Sequence, residues 1–185
     1  ASAAIAVATM RALSAFLGHP LEKETLNRLG FETERLMHGN PSGIDNTVIV
    51  YEQPILFRKG ELIEFVYPSK NLHFLIADSG IKKATADTVA YLAKQRERNP
   101  QFVEAALEEI GRIALFGRKA FEQGDLSALG DAMNANQALL AQLDLSCEAL
   151  EKLIVAARQA GALGAKLTGG GKGGNMLALV TPETQ

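Results

Sequence analysis

Helical and strand-like patterns follow one another in blocks along this chain, and their order is the feature that most limits its fold. Apolar residues recur at helical spacing in four consecutive segments, 87–98, 101–123, 126–143 and 148–160. Another helical pattern covers residues 3–17, and residues 21–37 predict one or two amphipathic helices. Strand-like runs lie before and after the block of four helices. Helices and strands segregated in this way indicate an α+β fold rather than a regular βαβ alternation.

The strand-like runs are short, and Pro, Gly and polar turn residues separate them. They occupy residues 47–51, 55–57, 62–66 and 72–77 before the helices, and 166–168 and 176–180 after them. The middle runs predict a meander. The helix of residues 3–17 is apolar on nearly every side, so we expect it to be buried all round. Asn99-Pro100 and Gly124-Asp125 mark helix boundaries, with Asp125 as an N-cap.

The composition disfavours several classes of function. The 185 residues are 47% hydrophobic and 22% charged, which is enough to bury a core. A net charge of −2 without a basic block argues against a nucleic-acid partner. No apolar run reaches the roughly 20 residues of a membrane span. Cys147 is the one cysteine and cannot form an internal disulfide, which fits the reducing cytoplasm. Because the chain opens inside an apolar helical pattern without Met, we expect a fragment of a longer protein.

Three segments are candidates for chemistry, and the first is the glycine cluster of residues 169–174. It formally matches G-x-G-x-x-G, but a strand-like run follows it where a dinucleotide fold requires a helix. A Walker A loop is also excluded, because Gly173 follows Lys172 where Ser or Thr is required. Glycines permit positive φ, so main-chain amides can converge on an anion or pack closely against another loop. The alternative is a flexible hairpin turn.

The second segment is residues 34–46, which holds two carboxylates on either side of a turn. Glu34 lies at the end of a predicted helix, and Asp45 directly precedes a predicted strand. Brought together, they could serve as a metal ligand and a base. The alternatives are that Asp45 caps a turn, that Glu34 is a solvated charge paired with Arg35, and that His38 is a structural histidine.

The third segment, residues 78–85, connects a predicted strand to a predicted helix. Its hydroxyls and lysines could hold an anion at the helix N-terminus. The alternative is that Thr85 only caps that helix and that the lysines are solvated.

These three segments, in this order, resemble the mevalonate kinases of the GHMP kinase superfamily. Residues 34–46 match the pattern E-R-x-x-H-G-x-P-S-G-x-D-N at each fixed position. Residues 166–174 are similar to K-x-T-G-A-G-x-G-G, with Gly170 in place of Ala and Asn175 where Cys commonly follows. Residues 1–4 resemble the end of the motif P-x-x-x-G-L-G-S-S-A-A, although Ala1 replaces the first Ser and the glycines are absent.

The resemblance implies ATP and Mg²⁺ as cofactors and mevalonate as the substrate. It assigns Ser2 and Glu34 to the metal. It makes Asp45 the catalytic residue, which contacts the substrate hydroxyl as a base or stabilises charge during transfer. It places the substrate beside His38, Ser42 and Thr85. The implied nucleotide-binding residues are Ser2, Gly169, Gly170, Gly171, Gly173 and Gly174.

The resemblance also implies the GHMP kinase fold. Residues 1–47 would be the C-terminal part of the N-terminal catalytic lobe. Residues 48–185 would be a ferredoxin-like C-terminal lobe with extra helices, truncated at its end. A family lysine that lies near the catalytic Asp is not in this sequence, so we expect little or no activity from this chain alone. A homodimer and association with a missing N-terminal segment are both open.

Two other functions stay open. One is phosphorylation of phosphomevalonate or of another substrate of the superfamily, with Lys82, Lys83 and Lys172 as candidate cations for a substrate phosphate. The other is a non-catalytic module that binds a ligand or a partner without turnover.

Overall fold

A computed structural model describes residues 2–38, 41–82 and 85–184, without the side chains of His38 and Thr85. The chain divides into two compact units, residues 1–67 and 68–185. Each unit combines helices with antiparallel strands, which confirms the α+β class. The lobe boundary after Thr47 that the resemblance implies stays a prediction. None of the helices in the described ranges is both long and apolar enough to cross a membrane.

The first unit consists of three helices followed by a hairpin. Its elements are α1 (Ser2–Phe16), α2 (Lys23–His38), α3 (Ile44–Tyr51), β1 (Ile55–Leu56) and β2 (Glu64–Phe65). The three helices contact one another pairwise and share a core of Val7, Leu26 and Val50. A Cβ on Gly30 of α2 would lie 3.3 Å from Asn46 Cβ and 3.4 Å from Val7 Cγ2, so a glycine allows the close approach.

The prediction of a strand over residues 47–51 is wrong, because these residues belong to α3. Their β-branched side chains favour a strand by propensity, but local contacts favour the helix. The Thr47 hydroxyl donates to the Gly43 carbonyl over 2.7 Å, one turn back. At the other end, Arg11 of α1 donates to the Val50 carbonyl over 2.6 Å and pairs with Glu52. A local hydrogen bond at the start and tertiary contacts at the end therefore hold a helix of low intrinsic propensity.

The prediction that the first helix is buried all round is also wrong for this chain. Only Ala3 and Val7 of α1 are buried. The side of α1 that does not pack on α2 and α3 exposes Ile5, Leu13 and Phe16, the last by 87%. An apolar composition shows that a helix can be buried, but the packing partners decide which side is.

The second unit packs four helices with a three-stranded antiparallel sheet. Its elements are β3 (His73–Asp78), α4 (Thr85–Arg98), α5 (Pro100–Gln123), α6 (Leu126–Gln142), α7 (Glu148–Gln159), β4 (Gly164–Leu167) and β5 (Asn175–Val180). The strand order is β3-β5-β4, so β3 pairs with a strand about a hundred residues later. The predicted meander is therefore limited to the hairpin of β1 and β2. The four predicted helices are confirmed.

The predicted helix boundaries are confirmed as well. The side chain of Asp125 caps α6 by accepting from the Ala128 amide over 3.0 Å. Asn99 caps α5 in the same way, and Pro100 follows at the start of the helix. Both caps satisfy amides that have no partner within their helix. Cys147 packs partly buried against the core at the start of α7, with no disulfide.

Side chains of α6 cover the outer edge of β4. Asn134 accepts from the Ala165 amide and donates to the Leu163 carbonyl, both over 3.1 Å. Gln137, only 3% exposed, accepts from the Leu167 amide over 2.8 Å. An edge strand otherwise presents unpaired backbone groups. Here the side-chain amides of Asn134 and Gln137 bind these groups in place of a further strand.

The contact between α6 and β4 is close because two glycines face each other. A Cβ on Gly130 would lie 2.5 Å from the Leu163 carbonyl oxygen, and one on Gly164 would lie 2.4 Å from the Gly130 carbonyl oxygen. No side chain fits at either position without moving the helix away from the strand.

We expect Gly130→Ala to lower the free energy of unfolding by about 1–3 kcal/mol, because the added methyl group overpacks the α6–β4 contact. Gly111→Ala in α5 is the matched control, since its Cβ meets nothing within 4 Å. The control should gain roughly 0.5–1 kcal/mol from helix propensity. Urea unfolding of the full-length gene product measures both, and equal stability of the two variants would contradict the packing argument.

Candidate active site

Glu34 and Ser2 form a buried pair in the first unit. Glu34, near the end of α2, is 5% exposed, and the hydroxyl of Ser2 at the start of α1 donates to its Oε1 over 2.7 Å. A carboxylate at such a depth requires a hydrogen-bonding partner. The alternative of a solvated Glu34 paired with Arg35 is wrong, because Glu34 is buried and Arg35 pairs with Glu32 at 2.6 Å.

The donor set of this pair fits Mg²⁺. Mg²⁺ prefers oxygen ligands and is usually held by one or two carboxylates, with water and phosphate oxygens completing its shell. Ser2 and Glu34 offer a hydroxyl and a carboxylate whose oxygens are already adjacent. In the described part of the chain, no group of three His, Cys, Asp or Glu residues could hold a metal ion by itself. The Ser2 hydroxyl and the Glu34 carboxylate therefore fit Mg²⁺ as two of its oxygen ligands.

Asp45 lies in a different environment from Glu34. It is exposed in the first turn of α3, where the helix dipole favours a negative charge. Its carboxylate makes no hydrogen bond or ion pair with another described residue. The prediction that it directly precedes a strand is wrong, since a helix begins there instead.

The turn before Asp45 has a defined backbone conformation. Gly43 has φ 91°, and a Cβ on it would lie 3.4 Å from the ring of Phe31. The Ser42 hydroxyl accepts from the Ile44 amide over 3.3 Å. Ser42 therefore lies in the turn itself, and the glycine is required by the left-handed backbone. The side chain of His38 lies outside the described part of the chain.

An open pocket of about 470 Å³ lies beside this turn, between α2, α3 and the hairpin. Ser42 and Asn46 line it, whereas Glu34 and Asp45 do not. Asn46 is buried, and its side-chain amide lies 2.6 Å from that of Asn27. Sequence reasoning missed Asn27, because no motif includes it. Burial raises the pKa of Tyr51 in this pocket, and the nearby charge of Glu24 adds to the effect.

The glycine cluster forms the loop between β4 and β5. Positive φ occurs at Gly169 and at every residue from 171 to 174. The loop is held on two sides: the Lys172 amide donates to the Leu145 carbonyl over 2.7 Å, and the Gly174 amide donates to the Ile81 carbonyl over 2.8 Å. It is a hairpin connection, but tertiary hydrogen bonds fix it.

Two of these glycines are required by close packing. A Cβ on Gly171 would lie 2.1 Å from the Leu145 carbonyl oxygen, and one on Gly173 would lie 2.5 Å from the Ile81 carbonyl oxygen. Other amides of the loop form no backbone hydrogen bond within the described ranges, namely those of Gly169, Gly170, Gly171 and Gly173. Several such amides in one loop of left-handed residues can bind an anion.

The lysines near the loop differ in their hydrogen-bonding partners and in their burial. Lys172 pairs with Asp144 at 2.5 Å, so its charge is already matched. Lys166 of β4 is partly buried, its ammonium donates to the Leu167 carbonyl over 2.8 Å, and burial lowers its pKa. Lys83 and the side chain of Thr85 lie outside the described residues, although Thr85 begins α4.

Comparison with known proteins gives the family of the chain. The profile of the GHMP kinase N-terminal domain matches residues 1–53, and that of the GHMP kinase C-terminal domain matches residues 118–185. A mevalonate kinase of Pyrococcus horikoshii is 39% identical over 183 residues, which is 96% of this chain and 54% of that protein. One of Thermococcus gammatolerans is 38% identical over 189 residues, covering 100% of this chain and 56% of its own length.

Solved structures agree with the sequence comparison. The L. major mevalonate kinase in complex with R-mevalonate matches 100% of this chain and 58% of its own, with a TM-score of 0.93 and 36% identity. The Methanococcus jannaschii mevalonate kinase matches 98% of this chain and 56% of its own, with a TM-score of 0.80 and 25% identity. The chain thus spans somewhat more than half the length of these relatives.

We expect Lys166 to make stability depend on pH in the alkaline range. Its folded pKa lies below the unfolded value of about 10.4, so the unfolded state binds more protons between the two values. Its contribution to stability therefore rises with pH through that window, and is lower at neutral pH. Lys166→Met removes the titration. The free energy of unfolding of the wild type minus that of Lys166→Met should rise with pH through that window, and a constant difference would contradict the assignment.

Proposed function

Since the chain belongs to the GHMP kinases, we propose that its protein phosphorylates mevalonate with ATP to give 5-phosphomevalonate. The observation that carries the proposal is the contrast between the two carboxylates of residues 34–46. Glu34 is buried against a hydroxyl, whereas Asp45 is exposed at a helix start without a partner among the described residues. Phosphoryl transfer asks for one group at the metal and another at the attacking hydroxyl.

Ser2 and Glu34 are the residues that would hold Mg²⁺. When bound, the ion neutralises charge on the ATP phosphates. Glu34 brings a full negative charge to this position, and the Ser2 hydroxyl keeps that charge hydrogen-bonded inside the protein. The packing of α1 on α2 sets the spacing of the two oxygens.

Asp45 is the group that we assign to the acceptor. The oxygen of the mevalonate hydroxyl forms a bond to the γ-phosphorus, the bond from that phosphorus to the β–γ bridging oxygen breaks, and the hydroxyl proton passes to the Asp45 carboxylate. An exposed carboxylate that has no partner in the described part of the chain can accept that proton or stabilise charge on the hydroxyl. Ser42 shapes the turn before it, and His38 and Thr85 are proposed to contact the substrate.

The glycine loop is the part of the second unit that we assign to ATP. Four of its amides have no partner among the described residues and suit phosphate oxygens, namely those of Gly169, Gly170, Gly171 and Gly173. Gly174 stays a candidate through the motif, although its amide donates to the Ile81 carbonyl. This proposal also includes a lobe division after Thr47 and a cytoplasmic location. It further includes assembly as a homodimer or with a further N-terminal segment.

Phosphomevalonate is the less favoured substrate. It would require additional cations for its phosphate, and the ion pair with Asp144 already occupies Lys172. The match of residues 34–46 at each fixed position also favours mevalonate. The same assay tests the non-catalytic alternative.

We expect Asp45→Asn in the full-length gene product to lower kcat with mevalonate by about 10²–10⁴-fold, because the carboxylate is removed with little change in shape. Asp131→Asn, an exposed aspartate of α6, is the matched control and should leave kcat unchanged. ADP release with Mg²⁺-ATP measures both variants.

Phosphomevalonate, homoserine and galactose are assayed in parallel. Turnover of one of these in place of mevalonate would retain the kinase and replace the substrate. No turnover with mevalonate or with any of these three substrates would favour the non-catalytic alternative.

We expect Glu34→Gln to raise the Mg²⁺ concentration needed for half-maximal activity by about tenfold or more, because a neutral amide replaces a charged oxygen ligand. Glu32→Gln is the control, since Glu32 is on the same helix and pairs with Arg35. A titration of free Mg²⁺ at fixed ATP measures the shift. Equal Mg²⁺ requirements in the two variants would remove Glu34 from the metal site.

A further inference from the structure

The glycine loop carries one long side chain, Lys172, and this side chain has two partners. Its ammonium donates to Asp144 Oδ2 over 2.5 Å and lies 4.4 Å from the centroid of the Tyr91 ring. The side chain of Lys172 is 24% exposed, whereas that of Asp144 is 63% exposed. The ammonium is therefore placed between a carboxylate and an aromatic face, an arrangement that favours a cation.

The same carboxylate oxygen accepts a second hydrogen bond. The Tyr91 hydroxyl donates to Asp144 Oδ2 over 2.5 Å, and Gln95, one turn further along α4, donates to the Tyr91 hydroxyl over 2.6 Å. The bonds from Lys172 and then Tyr91 lower the pKa of Asp144. Three parts of the unit thus meet at one oxygen: α4, the turn after α6, and the glycine loop.

The backbone at this cluster is as constrained as the side chains. Lys172 has φ 59° and Asp144 has φ 55°, a left-handed conformation that non-glycine residues seldom adopt. The Lys172 amide also donates to the carbonyl of Leu145, the residue after Asp144. Such conformations persist where surrounding contacts fix them, and they are concentrated at functional sites.

We propose that Lys172, Asp144 and Tyr91 form a positioning cluster that fixes the glycine loop so that its unpaired amides can bind the phosphates of ATP. The proposal rests on the proposed function and extends it to Asp144 and Tyr91, which lie outside the matched motifs, and to Lys172, which occupies a variable position of one of them. In this cluster, Lys172 holds the loop and is not a phosphate ligand, because its ammonium is engaged by Asp144 and Tyr91.

Steady-state kinetics of the full-length gene product distinguish a Lys172 that holds the glycine loop from a Lys172 that binds a phosphate of ATP. We expect Lys172→Met and Asp144→Asn each to raise KM for ATP by about 5–20-fold, with KM for mevalonate unchanged within about twofold. The double variant should be no worse than the worse single variant, because both remove one interaction. Tyr91→Phe, which retains the ring, should have a smaller effect in the same direction.

A direct phosphate contact predicts a different pattern. Asp144→Asn would then free the ammonium for the phosphates, and KM for ATP would fall or stay constant while Lys172→Met raised it. That result would overturn the positioning role.

Amide hydrogen exchange without nucleotide tests the cluster independently of any reaction. The amides of Lys172 and Gly174 have tertiary partners, and we expect Asp144→Asn and Lys172→Met to accelerate their exchange by about tenfold or more. Glu52→Gln is the control: Glu52 is also left-handed and ion-paired, with Arg11 in the first unit. This variant should leave the exchange of the loop unchanged.

Unchanged exchange in Asp144→Asn would overturn the cluster, whatever reaction the protein catalyses. Accelerated exchange in a protein that does not turn over mevalonate would support the role of the cluster in holding the loop and would contradict only the proposed function.

Discussion

The position of β4 against α6 is the constraint on which the second unit depends. Facing glycines at 130 and 164 allow the helix and the strand to approach until the Asn134 and Gln137 amides reach the strand edge. Gln137 also donates to Glu151 of α7 over 2.8 Å, so one buried amide joins two helices and a strand. A buried amide left without these partners costs more than its bonds gain, which makes the contact specific as well as stabilising.

The glycine loop takes its geometry from the same helix. β4 leads directly into the loop, and the turn after α6 supplies Asp144 and Leu145, which hold Lys172 by side chain and backbone. Both the start of the loop and its anchor are thus fixed relative to α6. Because β4 packs on α6 and the turn with Asp144 and Leu145 follows α6 directly, the helix fixes these two parts relative to each other. The conformation of the glycine loop depends on that fixed arrangement.

Sequence periodicity and capping chemistry were sufficient for the helices of the second unit, because Asn99 and Asp125 act on their own neighbours. They failed for residues 47–51, where Thr47 and the distant Arg11 outweigh β propensity. The motif of residues 34–46 identified Glu34 and Asp45 but not their different burial. The contact of Tyr91 with Asp144 joins residues 53 apart, and no local pattern encodes it.

The contrast between Glu34 and Asp45 follows from packing rather than from the motif. Glu34 lies on the helix that shares the core of Val7 and Leu26, so the contact that buries this core also brings Ser2 to the carboxylate. Asp45 is placed by a turn whose left-handed glycine, Gly43, directly precedes the first residue of α3. One carboxylate is therefore fixed by the core and hydrogen-bonded before any ligand arrives. The other makes no hydrogen bond with a described residue, and the two different local structures account for this contrast.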